Sequence, residues 1–275
     1  MEELHITETP DTLIEAIARN LVEYSVGFVR VEETPQGQDA GLLGSGTLVA
    51  IGEIRAVLTA HHVVTALPRK GRLGLILSHK LEPDTVDTQG LAYQEIARGT
   101  IDSEGPDLGA VVLASTIAGT IAAKKTFYNL AMRRDQLLQT PPDLRDGLWF
   151  VNGFVDEMTV EEPETDRYSL IKGFCNLSGA GVPEPPVSVG DHDYFAFPVS
   201  YGRRSVAPKS FEGMSGGGLW QVPIMRDAQG NLRHKTPLLS GVVFYQEPTI
   251  ENRCGVKCHG RMSIYRVAYD SIRHK

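Results

Sequence analysis

Apolar and polar residues alternate over residues 25–32 (SVGFVRVE), a period of two that predicts a half-buried strand. Ahead of it, Leu13, Ile14, Ile17 and Leu21 recur at helical spacing behind Pro10 and Asp11, so a short amphipathic helix is expected over residues 11–23. Residues 33–43 carry Pro35, two glycines and acidic or amide side chains, and read as a loop. Strands are then expected at 44–50 and 54–59 around a turn at 51–53, and at 73–78, 91–98 and 108–113. Residues 116–144 break this rhythm: they are rich in Ala, Lys, Arg and Gln, are expected to be partly helical, and end in Thr140-Pro141-Pro142. A second series of strands is expected at 148–155, 168–174, 194–198, 217–222, 238–246 and 262–269, with the proline-rich stretch 182–187 as a loop.

Many short strands separated by turns predict an all-β barrel or sandwich rather than a βαβ sheet. The organisation expected is a helical extension over 1–24, a first β unit over 25–116, a connector over 117–145, and a second β unit with a C-terminal tail over 146–275. No internal repeat is visible.

Composition narrows the function classes. With 41% hydrophobic and 22% charged residues in 275, the chain can bury a substantial core. A net charge of −7 and a pI near 5.6 argue against a general binder of phosphate backbones, so no nucleic-acid partner is expected. Three cysteines cannot build a disulfide scaffold. The acidic residues 1–11 lack the basic and apolar regions of a secretory leader, and the uncharged run 108–123 is too short and too interrupted for a membrane span. The expectation is a cytoplasmic protein without a membrane partner.

Three segments concentrate chemistry. Val57-Leu58-Thr59-Ala60-His61-His62-Val63-Val64 runs a strand into a turn bearing two histidines. Pro106-Asp107-Leu108-Gly109-Ala110-Val111-Val112 sets a carboxylate at the mouth of an apolar strand. Glu212-Gly213-Met214-Ser215-Gly216-Gly217-Gly218-Leu219 holds a serine among four glycines. Each has an ordinary structural reading, as a hydrogen-bonding histidine, a turn aspartate and a tight turn. Together they supply the parts of nucleophilic acyl transfer. A serine becomes nucleophilic when an imidazole accepts its proton, and a carboxylate on the other ring nitrogen sets the tautomer. Glycines beside the serine let backbone amides converge on a developing oxyanion.

On these residues the chain resembles the trypsin-like, chymotrypsin-fold serine proteases, and most closely their disulfide-free bacterial HtrA/Deg-type branch. Gly44-Ser45-Gly46 with the histidine segment is similar to that branch's GSG strand and LTNAHVV turn. The segment from Asp107 is similar to its DLAVL stretch, and the one from Gly213 to its GNSGGPL loop. The order His, Asp, Ser agrees. The resemblance implies two six-stranded antiparallel barrels with the site between them. It also implies His62 as general base, Asp107 as orienting acid, Ser215 as nucleophile, and the amides of Gly213 and Ser215 as the oxyanion hole. His61 falls on the motif's alanine and is the lesser candidate for the base, as Asp102 is for the acid.

Met214 replaces the aspartate of activatable members, so zymogen cleavage of the usual kind is not expected, and Gly218 replaces a proline. The chain ends shortly after its last expected strand, and no PDZ domain is expected in it. Lys209, six positions before Ser215, falls where the family places the base of its primary specificity pocket, while Arg203, Arg204 and Lys209 read equally as a solvated loop. Phe244, Tyr245 and Gln246 resemble the edge that pairs with a substrate backbone, with Gln246 in place of a pocket-mouth glycine.

Cys254, Cys258 and His259 fit no standard zinc spacing, and neither a metal nor a cofactor is expected. The function implied is a serine endopeptidase acting on protein or peptide substrates, narrow in specificity or gated by an activating partner. The alternatives are an esterase using the same chemistry and a catalytically silent binding or scaffold module on a protease fold.

Overall fold

Pro10 precedes helix α1 (Asp11–Val22), and the spacing of Leu13, Ile17 and Leu21 puts all three on one buried face. The computed structural model describes residues 9–34, 37–77, 84–163, 170–201 and 207–274. Two antiparallel sheets follow α1, the two-barrel all-β architecture expected, with more than six strands in each.

The first sheet contains β1 (Ser25–Thr34), β2 (Gly37–Ile51), β3 (Ile54–Thr59), β4 (Arg72–Ile76), β5 (Asp84–Asp87), β6 (Leu91–Arg98) and β7 (Asp107–Leu113), in the order β5-β4-β1-β2-β3-β7-β6. The two-residue β8 (Tyr128–Asn129) joins it as an eighth member, parallel to β2. Helices α2 (His61–Ala66), α3 (Ser115–Ala122) and α4 (Leu130–Gln139) punctuate this half.

The second sheet draws on β9 (Leu148–Phe154), β12 (Asn176–Gly181), β13 (Val187–Val189), β14 (His192–Ser200), β15 (Gly218–Val222), β18 (Leu238–Gln246) and β19 (Arg253–His259), in the order β12-β9-β15-β18-β19-β14-β13. Two separate hairpins, β10 (Val160–Pro163) with β11 (Leu170–Gly173) and β16 (Ile224–Arg226) with β17 (Leu232–His234), complete the strands.

Strand periodicity explains how the halves join. Leu48 and Val57 face the interior of the first sheet with Val26 and Phe28. Their neighbours Val49 and Leu58 face the other way and pack with Phe150, Trp220, Leu239 and Val242 of the second sheet. The central strands are therefore buried on both faces, which is why they read as nearly continuous apolar runs. Polar groups cross the same seam: fully buried Asn152 on β9 accepts from Ser25 Oγ and donates to Asn176 Oδ1 at 2.6 Å and Ser178 Oγ at 2.7 Å.

Three local expectations need correction. The expected loop at 33–43 is largely the end of a hairpin, with β1 and β2 paired as far as Thr34 opposite Gly37, because a backbone ladder needs no apolar side chains. The histidine turn is the six-residue helix α2. The expected strand at 262–269 is helical: Ser263–Ala268 forms a π-helix and continues into α5 (Tyr269–Arg273). Its β-branched and aromatic residues suggest a strand, yet Ile264, Ala268 and Ile272 recur every four residues and are buried together. Among the described residues no helix is long and apolar enough to cross a membrane.

Candidate active site

Helix α2 begins where β3 ends, and its first turn carries both histidines. They diverge. His61 is buried, with Nε2 3.4 Å from Glu95 Oε2 and Nδ1 3.5 Å from Thr65 Oγ1. His62 turns toward the first residue of β7. Its Nδ1 lies 2.5 Å from Asp107 Oδ2, and its backbone N–H donates to Asp107 Oδ1 at 3.0 Å. The imidazole of His62 is 48% exposed while the Asp107 side chain is 10% exposed, so the pair runs from solvent into the protein. Burial opposes the charge on Asp107, but the hydrogen bonds and positive field of His62 outweigh it and hold the carboxyl below its ordinary value. A carboxylate accepting two donors from one residue fixes both the imidazole plane and the Nδ1–H tautomer.

Ser215 comes from the other half, in the turn that enters β15. Gly213 and Gly216 hold φ of +88° and +94°, a region that disfavours any residue with a Cβ. A Cβ on Gly216 would also run into Ser45 O and Thr59 Oγ1. The amides around the serine alternate in their pairing. Met214 N–H donates to Phe211 O, Gly216 N–H to Val243 O and Gly217 N–H to Met214 O. The N–H groups of Gly213 and Ser215 have no acceptor among the described residues. Two unpaired amides beside one serine hydroxyl are the kind of donor pair that an oxyanion requires.

Strand β2 of the first sheet holds this turn from behind. Ser45 N–H donates to Ser215 O at 2.8 Å, Ser45 Oγ donates to Gly213 O at 2.7 Å, and Thr47 Oγ1 donates to Gly216 O at 3.1 Å. Ser45 Oγ also accepts from Phe154 N–H at 2.7 Å. Ser45→Ala leaves the Phe154 N–H and Gly213 C=O unpaired and is expected to destabilise the fold by about 1–3 kcal/mol. Urea denaturation would measure this; an unchanged midpoint would mean that the Ser45 hydroxyl contributes nothing to the clamp. Gly218 admits the indole of Trp220, which lies where a Cβ at this position would be.

A cavity of about 460 Å³ connects these groups. His62, Asp107 and Ser215 line it together with Arg98, Asp102, Ser210, Phe211, Glu212, Phe244, Tyr245 and Gln246. Asp102 thus belongs to its wall, although it is Asp107 that meets His62. Lys209 does not line the cavity: its side chain is exposed, and its backbone is tied down on both sides. Its N–H and that of Ser210 donate to the Glu157 carboxylate at 3.2 and 2.7 Å. From the end of β18, Gln246 Nε2 donates to Lys209 O at 2.9 Å and its Oε1 accepts from Phe211 N–H at 2.8 Å. Arg203 and Arg204 lie outside the described residues.

Sequence reasoning misses the parts of this site that depend on distant contacts, namely the Ser45 clamp, Glu157 and the lacing made by Gln246. It reads Gln246 as part of a substrate-pairing edge and as a substitution at a pocket mouth, not as a tie to 209–211. Cys258 is fully buried and its thiol pKa is raised by burial, and Cys254 packs with its sulfur 3.4 Å from Tyr201 Oη. Among the described residues no cluster of three or more His, Cys, Asp or Glu is arranged to hold a metal ion.

No family model matches the chain, and no curated protein is similar to it in sequence. Among solved structures it is similar to that of an HtrA-type protease, AlgW, with a decapeptide, at a TM-score of 0.45 and 11% identity over 94% of this chain. It spans 66% of the length of that AlgW chain. It is also similar to tobacco vein mottling virus protease, at a TM-score of 0.39 and 10% identity over 86% of this chain and 77% of the other. A third similar structure is from work on coupled folding and binding of the disordered Sesbania mosaic virus VPg protein, at a TM-score of 0.42 and 11% identity over 88% of this chain and 89% of the other.

Proposed function

We propose that the chain is a serine endopeptidase that hydrolyses peptide bonds in polypeptides through an acyl-enzyme on Ser215. The observation that carries this reading is the doubly hydrogen-bonded His62–Asp107 pair, which opens on the same cavity as Ser215. With Nδ1–H held by Asp107, the Nε2 of His62 is the free base. It takes the Ser215 hydroxyl proton as Oγ attacks the carbonyl carbon, then gives that proton to the leaving amine. Water, deprotonated by His62 in turn, releases the acid product and regenerates Ser215. The amides of Gly213 and Ser215 receive the oxyanion in both halves, each such donor being worth about 2.7–4 kcal/mol of transition-state stabilisation.

The backbone of 209–211 is pinned between Glu157 and Gln246 at the cavity wall, which favours a narrow specificity or a partner that rearranges this wall before cleavage. Incubation with a fluorophosphonate probe, followed by peptide mapping, tests the reading. Labelling is expected at Ser215 and is expected to disappear in His62→Ala. A folded protein that takes up no label, alone or with peptide, would instead be a binding module on a protease fold.

A further inference from the structure

Behind the site lies a polar group that the triad chemistry leaves unused. His259 ends β19, is 0% exposed, and accepts a hydrogen bond at Nε2 from the backbone N–H of Asp107 at 3.0 Å. The bond joins residues 152 positions apart and crosses between the sheets, since β7 belongs to the first and β19 to the second. Asp107 is therefore held at both ends, its carboxylate by His62 and its main chain by His259.

The surroundings of His259 make an imidazole an expensive choice for packing alone. Phe244 and Tyr194 wall it in, with ring centroids at 4.8 and 5.3 Å, and a register slip between Val243 and Tyr245 leaves Phe244 without a partner on β19. Phe244 is 2% exposed, its side chain re-aimed at the bulge. The other ring nitrogen of His259, Nδ1, is buried without a hydrogen-bond partner among the described residues. An apolar ring would carry no unpaired atom of its own but would leave the buried N–H of Asp107 without its acceptor. Burial lowers the His259 pKa to about 3, so Nε2 keeps its lone pair at neutral pH and remains an acceptor.

We infer that His259 is a positioning residue for Asp107, anchoring the main chain of the orienting acid to the second barrel so that its carboxylate meets both donors of His62. The inference rests on the serine-hydrolase reading above, and its role is to fix the acid rather than to touch the substrate.

Three variants separate this role from simple packing. His259→Phe keeps an aromatic ring and removes the acceptor. His259→Gln places an amide oxygen at the reach of Nε2, and His259→Asn has the same chemistry one methylene too short. With fluorophosphonate labelling followed over probe concentration, His259→Phe and His259→Asn are expected to lose about 10- to 100-fold in maximal rate, as a displaced catalytic group does, with half-saturation within about twofold of wild type. His259→Gln is expected to recover most of that rate. In proton NMR, the low-field resonance of the His62 Nδ1–H shared with Asp107 should be present in wild type and His259→Gln and shift or vanish in the other two.

Labelling at wild-type rates by all three variants, with the resonance unmoved, overturns the inference. Should His259→Phe fail to fold, equal rates for the Gln and Asn variants overturn it, and a slow Asn beside a fast Gln supports it. If wild type itself takes no label, the hydrolase reading fails. The resonance then decides the matter for His259: an unmoved signal in the variants refutes its hold on Asp107, and a shifted one supports it.

Discussion

Ser215→Ala is expected to abolish turnover, lowering the maximal rate by about 10⁶-fold, as loss of the nucleophile does in a triad whose members act as a unit. Its folding should hardly change. The main-chain bond that Ser215 contributes to the clamp is made by its carbonyl, which accepts from Ser45 N–H, and alanine retains it. The side chain removed is partly exposed, and substitutions away from buried networks stay within about 0.5 kcal/mol. Peptide hydrolysis and a melting curve on the same sample check both halves of the expectation. Full hydrolysis by the variant would put the nucleophile elsewhere.

Asp107→Asn should cost about 10⁴-fold in maximal rate, the loss that follows when the orienting carboxylate of a Ser-His-Asp triad is neutralised. The geometry here says why. Two donors of His62 converge on two oxygens of Asp107, the backbone N–H on Oδ1 and the ring nitrogen on Oδ2. An asparagine has one oxygen to offer. If it satisfies the backbone N–H, its NH₂ faces Nδ1 and drives the ring proton to Nε2, where it blocks acceptance of the serine proton.

The same substitution carries a pH signature in stability. The carboxyl pKa of Asp107 is lowered in the folded state, so its ionised form contributes stability that is present above the ordinary carboxylate value. That contribution fades as pH falls through the lowered value. Urea denaturation should therefore show wild type and Asp107→Asn furthest apart near neutrality and converging in acid. A gap that widens in acid would contradict the assignment.

What was legible in the sequence was local. The three chemical segments each pack their signal into a strand end and the turn beside it, and the structure brings all three to one cavity. Counting along the chain from Ser215 finds the segment of Lys209, but it cannot say which way a side chain leaves a loop, and Lys209 leaves toward solvent. His259 shows the same limit more sharply. Beside Cys254 and Cys258 it draws attention as a metal ligand, while its actual contact is an amide far away in sequence. In residues 262–269 residue type suggested a strand, but the four-residue recurrence of buried positions marks a helix. The Ser45 clamp joins two segments that each stand out for their glycines, but nothing local in either says that they meet.

The clamp also sets a timetable. Ser45 and Gly213 stand 168 residues apart, so at translation speeds of 5–20 residues per second the first half of the chain waits about 8–34 s for the turn it must hold. Over the 108 positions from Asp107 to Ser215, about 5–22 s, a growing chain carries His62 and Asp107 without Ser215. On the proposed reading, the ability to cut arrives only when synthesis is nearly finished and the halves have docked.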